Sequence, residues 1–259
     1  MKPFFFLSLL FSLAGSSTSQ AVIASAGDIM FTGYNADGTD DLAFALLQSY
    51  TANTIIFFSD NEWNGTGWND TNESFFQWSS SVDLARGTIV TLGNIGGIGA
   101  LTSNQGSPAF APVPEQVGGR GLAASNETVY AYLGTTYDTA TPVFLSAFAN
   151  SGFGASTGVL TNTGLTAGST ATAFTNGHDV FAYTGNRSSQ STWGPYAGLI
   201  GTTTNWTSED GTGDQHANGT APDVPFNTTA FSVVPEPGTP LLLTLVSGLG
   251  MLGYRRRVR

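Results

Sequence analysis

Residues 54–59 read TIIFFS, with four consecutive apolar residues between two polar ones. A strand with one solvated face alternates apolar and polar residues, whereas an unbroken apolar run suits a strand covered on both faces. No stretch of the chain shows a long amphipathic period of 3.6 residues, which a surface helix would need. The run therefore predicts a central strand in a β-sandwich thick enough to bury both of its faces.

Similar short runs rich in β-branched and aromatic residues recur along the chain, separated by turn sequences such as NADG, NGTG and DGTGD. They predict strands at residues 28–34, 42–47, 54–59, 74–78, 88–92, 128–133, 179–183 and 229–233. Two other pieces, VFLSAFAN at 143–150 and PYAGLI at 195–200, are predicted to be short helical turns in connections. The pattern predicts one all-β domain, a β-sandwich with one or two short helices in connections.

Charge is distributed unevenly along the 259 residues. Residues 3–254 contain no lysine and only three arginines against eighteen carboxylates, so their net charge is 3 − 18 = −15. Nucleic acids and anionic membrane surfaces need a basic patch and are excluded as partners of this region. The absence of cysteine excludes disulfides, thiolate metal sites and cysteine nucleophiles.

The N-terminus has the layout of a secretory signal peptide. Lys2 is followed by an apolar run over residues 4–13 and then by small polar residues. Signal peptidase is expected to cleave after Ala21, which assigns residues 1–21 to the signal. A buried N-terminal helix is the alternative, but the polar GSSTSQ segment favours cleavage.

The C-terminus combines three features in order: a proline-flanked acidic motif, an apolar segment and a basic cluster. The motif is Val234, Pro235, Glu236 and Pro237, and residues 238–254 are just long enough for a transmembrane helix. The cluster that follows would stop transfer and stay in the cytoplasm. It consists of Arg255, Arg256, Arg257 and Arg259.

This arrangement, over residues 233–259, resembles a PEP-CTERM sorting signal. The resemblance implies a protein of a Gram-negative bacterium, exported and held in the inner membrane with its N-terminus outside and its C-terminus inside. Processing by an exosortase would then deliver it to the envelope, the outer surface or an exopolysaccharide-containing matrix. The alternative is an ordinary single-span anchor after a proline-rich linker.

A second resemblance lies between the two ends. The run AGDIMFTGYNADGTDDLAFALLQSYTANTIIFFSDNEWNG, beginning at Ala26, is similar to the opening of lamin-tail-like domains of bacterial surface and secreted proteins. The pieces VYAYLG, HDVFAYTG and NWTSEDGTG are similar to the extended bacterial form of that domain. The resemblance implies an immunoglobulin-like sandwich over residues 22–232, with a role in extracellular scaffolding or attachment. Fold alone does not assign function.

Two acidic loops carry the oxygen ligands that calcium prefers. NADGTDD contains Asn35, Asp37, Asp40 and Asp41, and SEDGTGD contains Glu209, Asp210 and Asp214. The first loop does not have EF-hand spacing, because the twelfth position from Asn35 is Leu46 rather than a carboxylate. Turns stabilised by Asp and Asn side chains explain both loops without a metal and are the favoured interpretation. No cofactor or metal site is therefore predicted, and calcium remains an alternative.

The loop SDNEWNGTGWND places Trp63 and Trp68 among Asp60, Glu62 and Asp70. Two tryptophans flanked by polar groups form a candidate glycan-binding surface, but they could equally pin a long loop to the sandwich. Paired carboxylates also raise glycoside hydrolysis, which requires a defined separation between the two groups. We expect pinning.

No catalytic residue is predicted. His178 and Asp179 are neighbours on a predicted strand and would point to opposite faces, so they cannot form a triad. Nucleophile-elbow, zinc-helix and phosphate-loop motifs do not occur. The sequence predicts a non-enzymatic exported surface or matrix protein, with a carbohydrate- or calcium-dependent adhesive module as the alternative.

Overall fold

The computed structural model describes residues 22–69, 73–97, 99–112, 120–213, 215–216 and 219–234. The signal peptide, the residues from Pro235 onward, Asp70 and Asp214 lie outside these ranges. In chain order the strands are β1 (Ile29–Asn35), β2 (Asp41–Leu46), β3 (Ile56–Ser59), β4 (Phe75–Ser79), β5 (Ile89–Gly93), β6 (Thr102–Ser103), β7 (Ser107–Phe110), β8 (Thr128–Leu133), β9 (Val143–Ala149), β10 (Ala171–Ala173), β11 (Val180–Tyr183) and β12 (Trp206–Glu209). A short helix α1 (Pro195–Gly201) and a 3-10 turn (Thr203–Asn205) precede β12.

The strands form two six-stranded sheets, which confirms the predicted all-β sandwich. The first sheet has the order β12-β11-β1-β2-β5-β6 and the second the order β10-β9-β8-β3-β4-β7. Neighbouring strands are antiparallel except for β9 and β10, which are parallel. In the part of the chain that the structure describes, no helix is both long enough and apolar enough to span a bilayer.

Two sequence predictions of local structure are wrong. Residues 143–149 form strand β9 rather than a helical turn, because β8 and β10 pair with it on both sides. Residues 229–233 form no strand: this stretch is extended and makes a single bridge, between Val233 and Gln190. Strands β6, β7, β10 and β12 were not predicted.

The core between the sheets is built from aromatic rings. Phe58 of β3 is fully buried, and its ring centroid lies 5.3 Å from those of Phe44 and Phe76 and 6.2 Å from that of Phe31. Phe44 and Phe31 belong to the first sheet, so Phe58 joins the two layers. Trp78 meets Phe44 edge-on at 5.5 Å. Such aromatic contacts contribute beyond the area that they bury.

The second sheet is buried on its outer face as well. Phe57, next to Phe58, points away from the core into a cluster covered by the loops around residues 60–69 and 152–166. This outer aromatic cluster contains Phe57, Trp63, Trp68, Tyr130, Tyr132 and Phe144. Its presence explains the apolar residues of β3 and confirms that both faces of this strand are covered, whereas Ile55 precedes the strand and is 41% exposed.

Residues 226–234, called here the closing segment, pack against the first sheet. The ring of Phe226 occupies the space beside Gly33 of β1, where a Cβ atom would lie 2.6 Å from it. The backbone N–H of Phe231 donates to the carbonyl of Gly87 at 2.9 Å. The buried guanidinium of Arg187 donates to the carbonyls of Asn227 and Thr229. The closing segment is therefore part of the folded body and extends to Val234, two residues past the predicted boundary.

Candidate functional site

Strand register gathers carboxylates at one end of the sandwich. Asn35, the last residue of β1, pairs with Asp41 on one side and with Val180 on the other, and Val180 in turn pairs with Glu209. The second sheet contributes from the same end, because the backbone N–H of Leu122 donates to Oδ2 of Asp40 at 2.7 Å. We call this end the acidic end; its carboxylates are Asp37, Asp40, Asp41, Asp60, Glu73, Glu127, Asp179, Glu209 and Asp210.

Tyr34 marks the centre of the acidic end. Its ring is fully buried and stacks on Phe148 at 4.8 Å, and its hydroxyl donates to the carbonyl of Ala123 at 2.6 Å. Burial raises the pKa of Tyr34 well above its usual value, and the negative charges of Glu127 and Asp60 add to the effect. The phenol thus stays neutral and serves as a hydrogen-bond donor beneath the carboxylates.

The inner carboxylates are held by backbone N–H groups. Oδ1 of Asp60 accepts from the N–H of Ser74 at 2.6 Å. The two oxygens of Glu127 accept from the N–H groups of Ala123 and Thr128, each at 3.0 Å. These bonds hold both side chains in place.

Burial governs the protonation of Asp40, Asp60 and Glu127, which are called here the inner group. It raises the pKa of Asp40 to about 6 and that of Glu127 to about 8, against the opposing effect of their backbone hydrogen bonds. Burial and the nearby charge of Glu127 raise the pKa of Asp60 as well. Near neutral pH Glu127 therefore retains a proton that a free carboxylate would have lost.

A shallow polar cleft of about 270 Å³ opens onto this group. It is lined by Asp60, Glu73, Arg120, Gly121, Leu122, Ala123 and Glu127. The guanidinium of Arg120 lies 3.8 Å from the centroid of the Phe110 ring, which holds it at the rim. The cleft offers hydrogen-bonding groups of both charges but little apolar surface, so it suits a small polar ligand better than an apolar one.

We expect the inner group to make folding stability depend on pH. Because the folded-state pKa of Glu127 is raised from 4.5 to about 8, the folded protein binds a proton that the unfolded chain releases between these values. Its contribution is complete below about pH 4.5 and is lost as the pH rises toward 8. Thermal unfolding from pH 5 to pH 8 should therefore show the Tm of the native protein falling relative to that of Glu127→Gln. The exposed-site variant Asp138→Asn should follow the native protein, and parallel curves for native and Glu127→Gln would contradict this assignment.

The outer part of the acidic end joins the two acidic loops identified in the sequence. The N–H of Gly213 donates to Oδ2 of Asp37 at 2.6 Å, and the N–H of Gly211 donates to Oδ2 of Asp179 at 3.3 Å. Asp37 and Asp210 both act electrostatically on Asp179, whose pKa is raised chiefly by burial. The fold thus brings together loops that are more than 170 residues apart. Within the described ranges, no three His, Asp or Glu side chains form a metal ligand set of their own.

The tryptophan pair faces inward. Trp63 is 4% exposed, and its indole N–H donates to the carbonyl of Thr161 at 3.0 Å. Its ring centroid lies 5.3 Å from that of Trp68 and 5.1 Å from that of Phe144. A pyranose stacks on an open ring face, and Trp63 offers none. The geometry therefore supports the pinning interpretation of this loop and gives no support to a glycan platform formed by Trp63 and Trp68.

The remaining predicted residues are dispersed. His178 lies 2.9 Å from the hydroxyl of Ser208, while its neighbour Asp179 turns to the 211–213 loop, so the two do not act together. Val234 is 60% exposed and ends the described chain. The rest of the sorting motif and the arginine cluster lie outside the described residues. They are Pro235, Glu236, Pro237, Arg255, Arg256, Arg257 and Arg259.

Sequence reasoning missed Glu127 and Arg120. Glu127 and Arg120 belong to segments without an acidic or aromatic motif, and only the meeting of the two sheets places them beside Asp60. A signal for Glu127 was nevertheless present, since a carboxylate directly before the apolar strand TVYAYL enters a buried environment. Comparisons of the chain with protein-family models, with characterised proteins and with solved structures find no match.

Proposed function

We propose that this protein is a non-enzymatic bacterial surface or extracellular-matrix protein, exported by its N-terminal signal and sorted through residues 233–259 as a PEP-CTERM substrate of an exosortase. One observation carries the proposal: the two ends of the folded body leave it at the same end, opposite the acidic end. Val22 pairs with Ser49, and Phe231 pairs with Gly87, which also bonds Leu46. The points at which the two address segments join the folded body therefore lie at the same end of the sandwich.

The position of the chain ends suggests how the sandwich would be oriented relative to a membrane. Only Pro235, Glu236 and Pro237 separate Val234 from the predicted apolar helix, so a membrane-held form would keep the sandwich close to the bilayer. Its acidic end would face outward. The negative outer surface would then be presented to cations and matrix polymers rather than to anionic lipid headgroups.

Two further points support a scaffold or binding role. Two packed, mainly antiparallel sheets are compatible with an immunoglobulin-like sandwich of the lamin-tail type, which we propose as the finer fold. The inner carboxylates Asp60 and Glu127 are engaged by backbone N–H groups, as buried structural carboxylates are. The second candidate, a calcium-dependent adhesive module of an exopolysaccharide matrix, is favoured by the convergence of the two acidic loops.

Mass spectrometry of both termini tests the sorting proposal. In the native producer, the mature exported protein should begin at Val22 and end at or near the Pro235–Pro237 motif, without the arginine cluster. Replacing Glu236 and both flanking prolines with alanine should leave the C-terminus intact and the protein in the inner membrane. The control Asp138→Ala should be processed normally. An exported mature form that still ends in Arg259 would overturn the proposal.

A further inference from the structure

A second pocket, of about 280 Å³, lies between helix α1, the start of β1 and the end of β2. These strand ends are opposite the acidic end, so the pocket is separate from the cleft described above. Asp28, Gln48, Ser169 and Thr170 supply its polar groups, and Trp193 supplies an aromatic ring. Small-molecule pockets usually measure about 300–1,000 Å³, so this one has the size for a single small ring.

Backbone hydrogen bonds hold the polar wall of this pocket in place. The carbonyl of Asp28 accepts from the N–H groups of Leu47 at 2.8 Å and Gln48 at 3.1 Å. Oδ2 of Asp28 accepts from the N–H groups of Ala24 and Ser25, each at 2.7 Å. Oε1 of Gln48 is buried and has no hydrogen-bond partner among the described residues, although native structures usually give such an acceptor a donor. The wall is therefore preorganised, and one of its acceptors lacks a donor from the chain.

Trp193 differs from the tryptophans of the core in that it lines an open pocket. Its ring is half-buried, whereas Trp63 and Trp78 are 4% and 0% exposed. The ring centroid lies 6.0 Å from that of Tyr196 and 5.8 Å from the guanidinium carbon of Arg86. An indole has a large apolar body beside a polar N–H group. An indole next to fixed hydrogen-bonding groups suits a ligand with one apolar face and a polar rim, as a pyranose has.

Glycines in the α1 wall keep the pocket open. Gly194 precedes α1 and Gly198 lies inside it, and a Cβ at either position would meet no atom within 4 Å. Gly201 differs, because a Cβ there would lie 2.8 Å from backbone atoms of Gly168 and Ser169. Glycine in a helix interior is destabilising relative to alanine, yet neither a positive φ nor close packing requires it at position 198. What this glycine provides is free space in the pocket.

We propose that this pocket binds one neutral pyranose unit of a glycan, which stacks on Trp193 and forms hydrogen bonds with Asp28 and Gln48. Of the residues that line the pocket, Asp28 alone is charged, so an anionic sugar would be repelled. Two backbone N–H groups already stabilise the charge of Asp28, which therefore does not require a cationic ligand. The pocket is independent of the sorting route.

Saturation-transfer NMR and calorimetric titration of the full chain test this pocket, in a mild detergent without a sugar headgroup. The probes are the methyl pyranosides of glucose, galactose, mannose and N-acetylglucosamine. At least one should receive saturation at its ring C–H groups and bind with a Kd of about 1 mM, as expected for so small a ligand. Trp193→Ala should weaken this binding at least about tenfold, because it removes the stacking surface. An unchanged Kd in this variant would overturn the stacking role.

Gly198→Leu tests the pocket without removing any contact of the folded chain. Its side chain should fill the pocket and abolish detectable binding, while the Tm stays equal or rises because leucine is a better helix former than glycine. The matched control is Gly67→Leu, in the loop at 60–69, where a Cβ would also meet no atom within 4 Å. This control should bind the sugar with native affinity.

Three results would contradict the proposal. Absence of binding for all four methyl pyranosides would overturn the pocket, and native affinity in Gly198→Leu would show that the sugar binds elsewhere. Binding restricted to the charged sugars glucuronate and glucosamine would overturn the neutral class of ligand. A correctly sorted protein that binds no sugar would contradict this inference alone and leave the sorting proposal intact.

Discussion

Phe58→Ala is expected to lower the free energy of unfolding by about 3–5 kcal/mol, the usual cost of deleting a fully buried phenylalanine ring. Phe58 touches rings of both sheets, with Phe44 and Phe31 on one side and Phe76 on the other. The neighbours belong to paired strands and cannot collapse into the space, so a cavity remains. Denaturant titration measures the loss as a lower midpoint with an unchanged m-value.

The control for this prediction is Val82→Ala, whose side chain is 59% exposed. It should change the free energy of unfolding by less than about 0.5 kcal/mol, as surface substitutions do. A loss below about 1 kcal/mol for Phe58→Ala would mean that the rings do not form one continuous core between the sheets.

The second large effect is expected for Gly87→Ala. Gly87 has a φ of +86°, and a Cβ there would lie 2.0 Å from the carbonyl oxygen of Phe231. Backbone strain costs about 1–2 kcal/mol, and the clash with a backbone atom adds about 1–3 kcal/mol. The closing segment must then detach, which exposes Phe231 and Arg187. Limited proteolysis should cut the variant within residues 226–234 and leave the native protein intact there.

The control variant Gly164→Ala separates the cost of backbone strain from the cost of the steric clash. Gly164 has a similar φ of +74°, but a Cβ would meet no atom within 4 Å. This control should lose only the strain contribution of about 1–2 kcal/mol and keep the closing segment protected. If both variants lost the same stability and both stayed resistant, the contact between Gly87 and Phe231 would have no role in holding the chain end.

Local sequence predicted most strands because their apolar patterns are themselves local. Residues 143–149 were predicted wrongly because VFLSAFA has no apolar–polar alternation and contains two alanines. This segment forms a strand because it pairs with β8 and β10. Tertiary pairing commonly overrides propensity in this way. Strand β7 was hidden by Pro108, but β7 lies at the edge of its sheet, where a missing N–H is tolerated.

The candidate site was predictable in its parts but not as a whole. Both acidic loops were identified from composition, but their meeting depends on β11 pairing with β1 across about 150 residues of chain. For Trp63, in contrast, the local sequence does not indicate the burial that the structure shows. Its loop reads as open and glycine-rich, and its burial is imposed by residues near Thr161, almost a hundred positions later. No local pattern contains that information.

The position of β1 has a consequence for how the protein can fold. β1 lies between its immediate successor β2 and the distant β11, and the closing segment then packs against it. During synthesis from the N-terminus, the chain can complete the β1–β2 hairpin early, but one edge of β1 stays unpaired until β11 has been made. Such long-range pairing is slow and exposes an apolar edge to aggregation. Folding can therefore be completed only after β11 and the closing segment have joined β1.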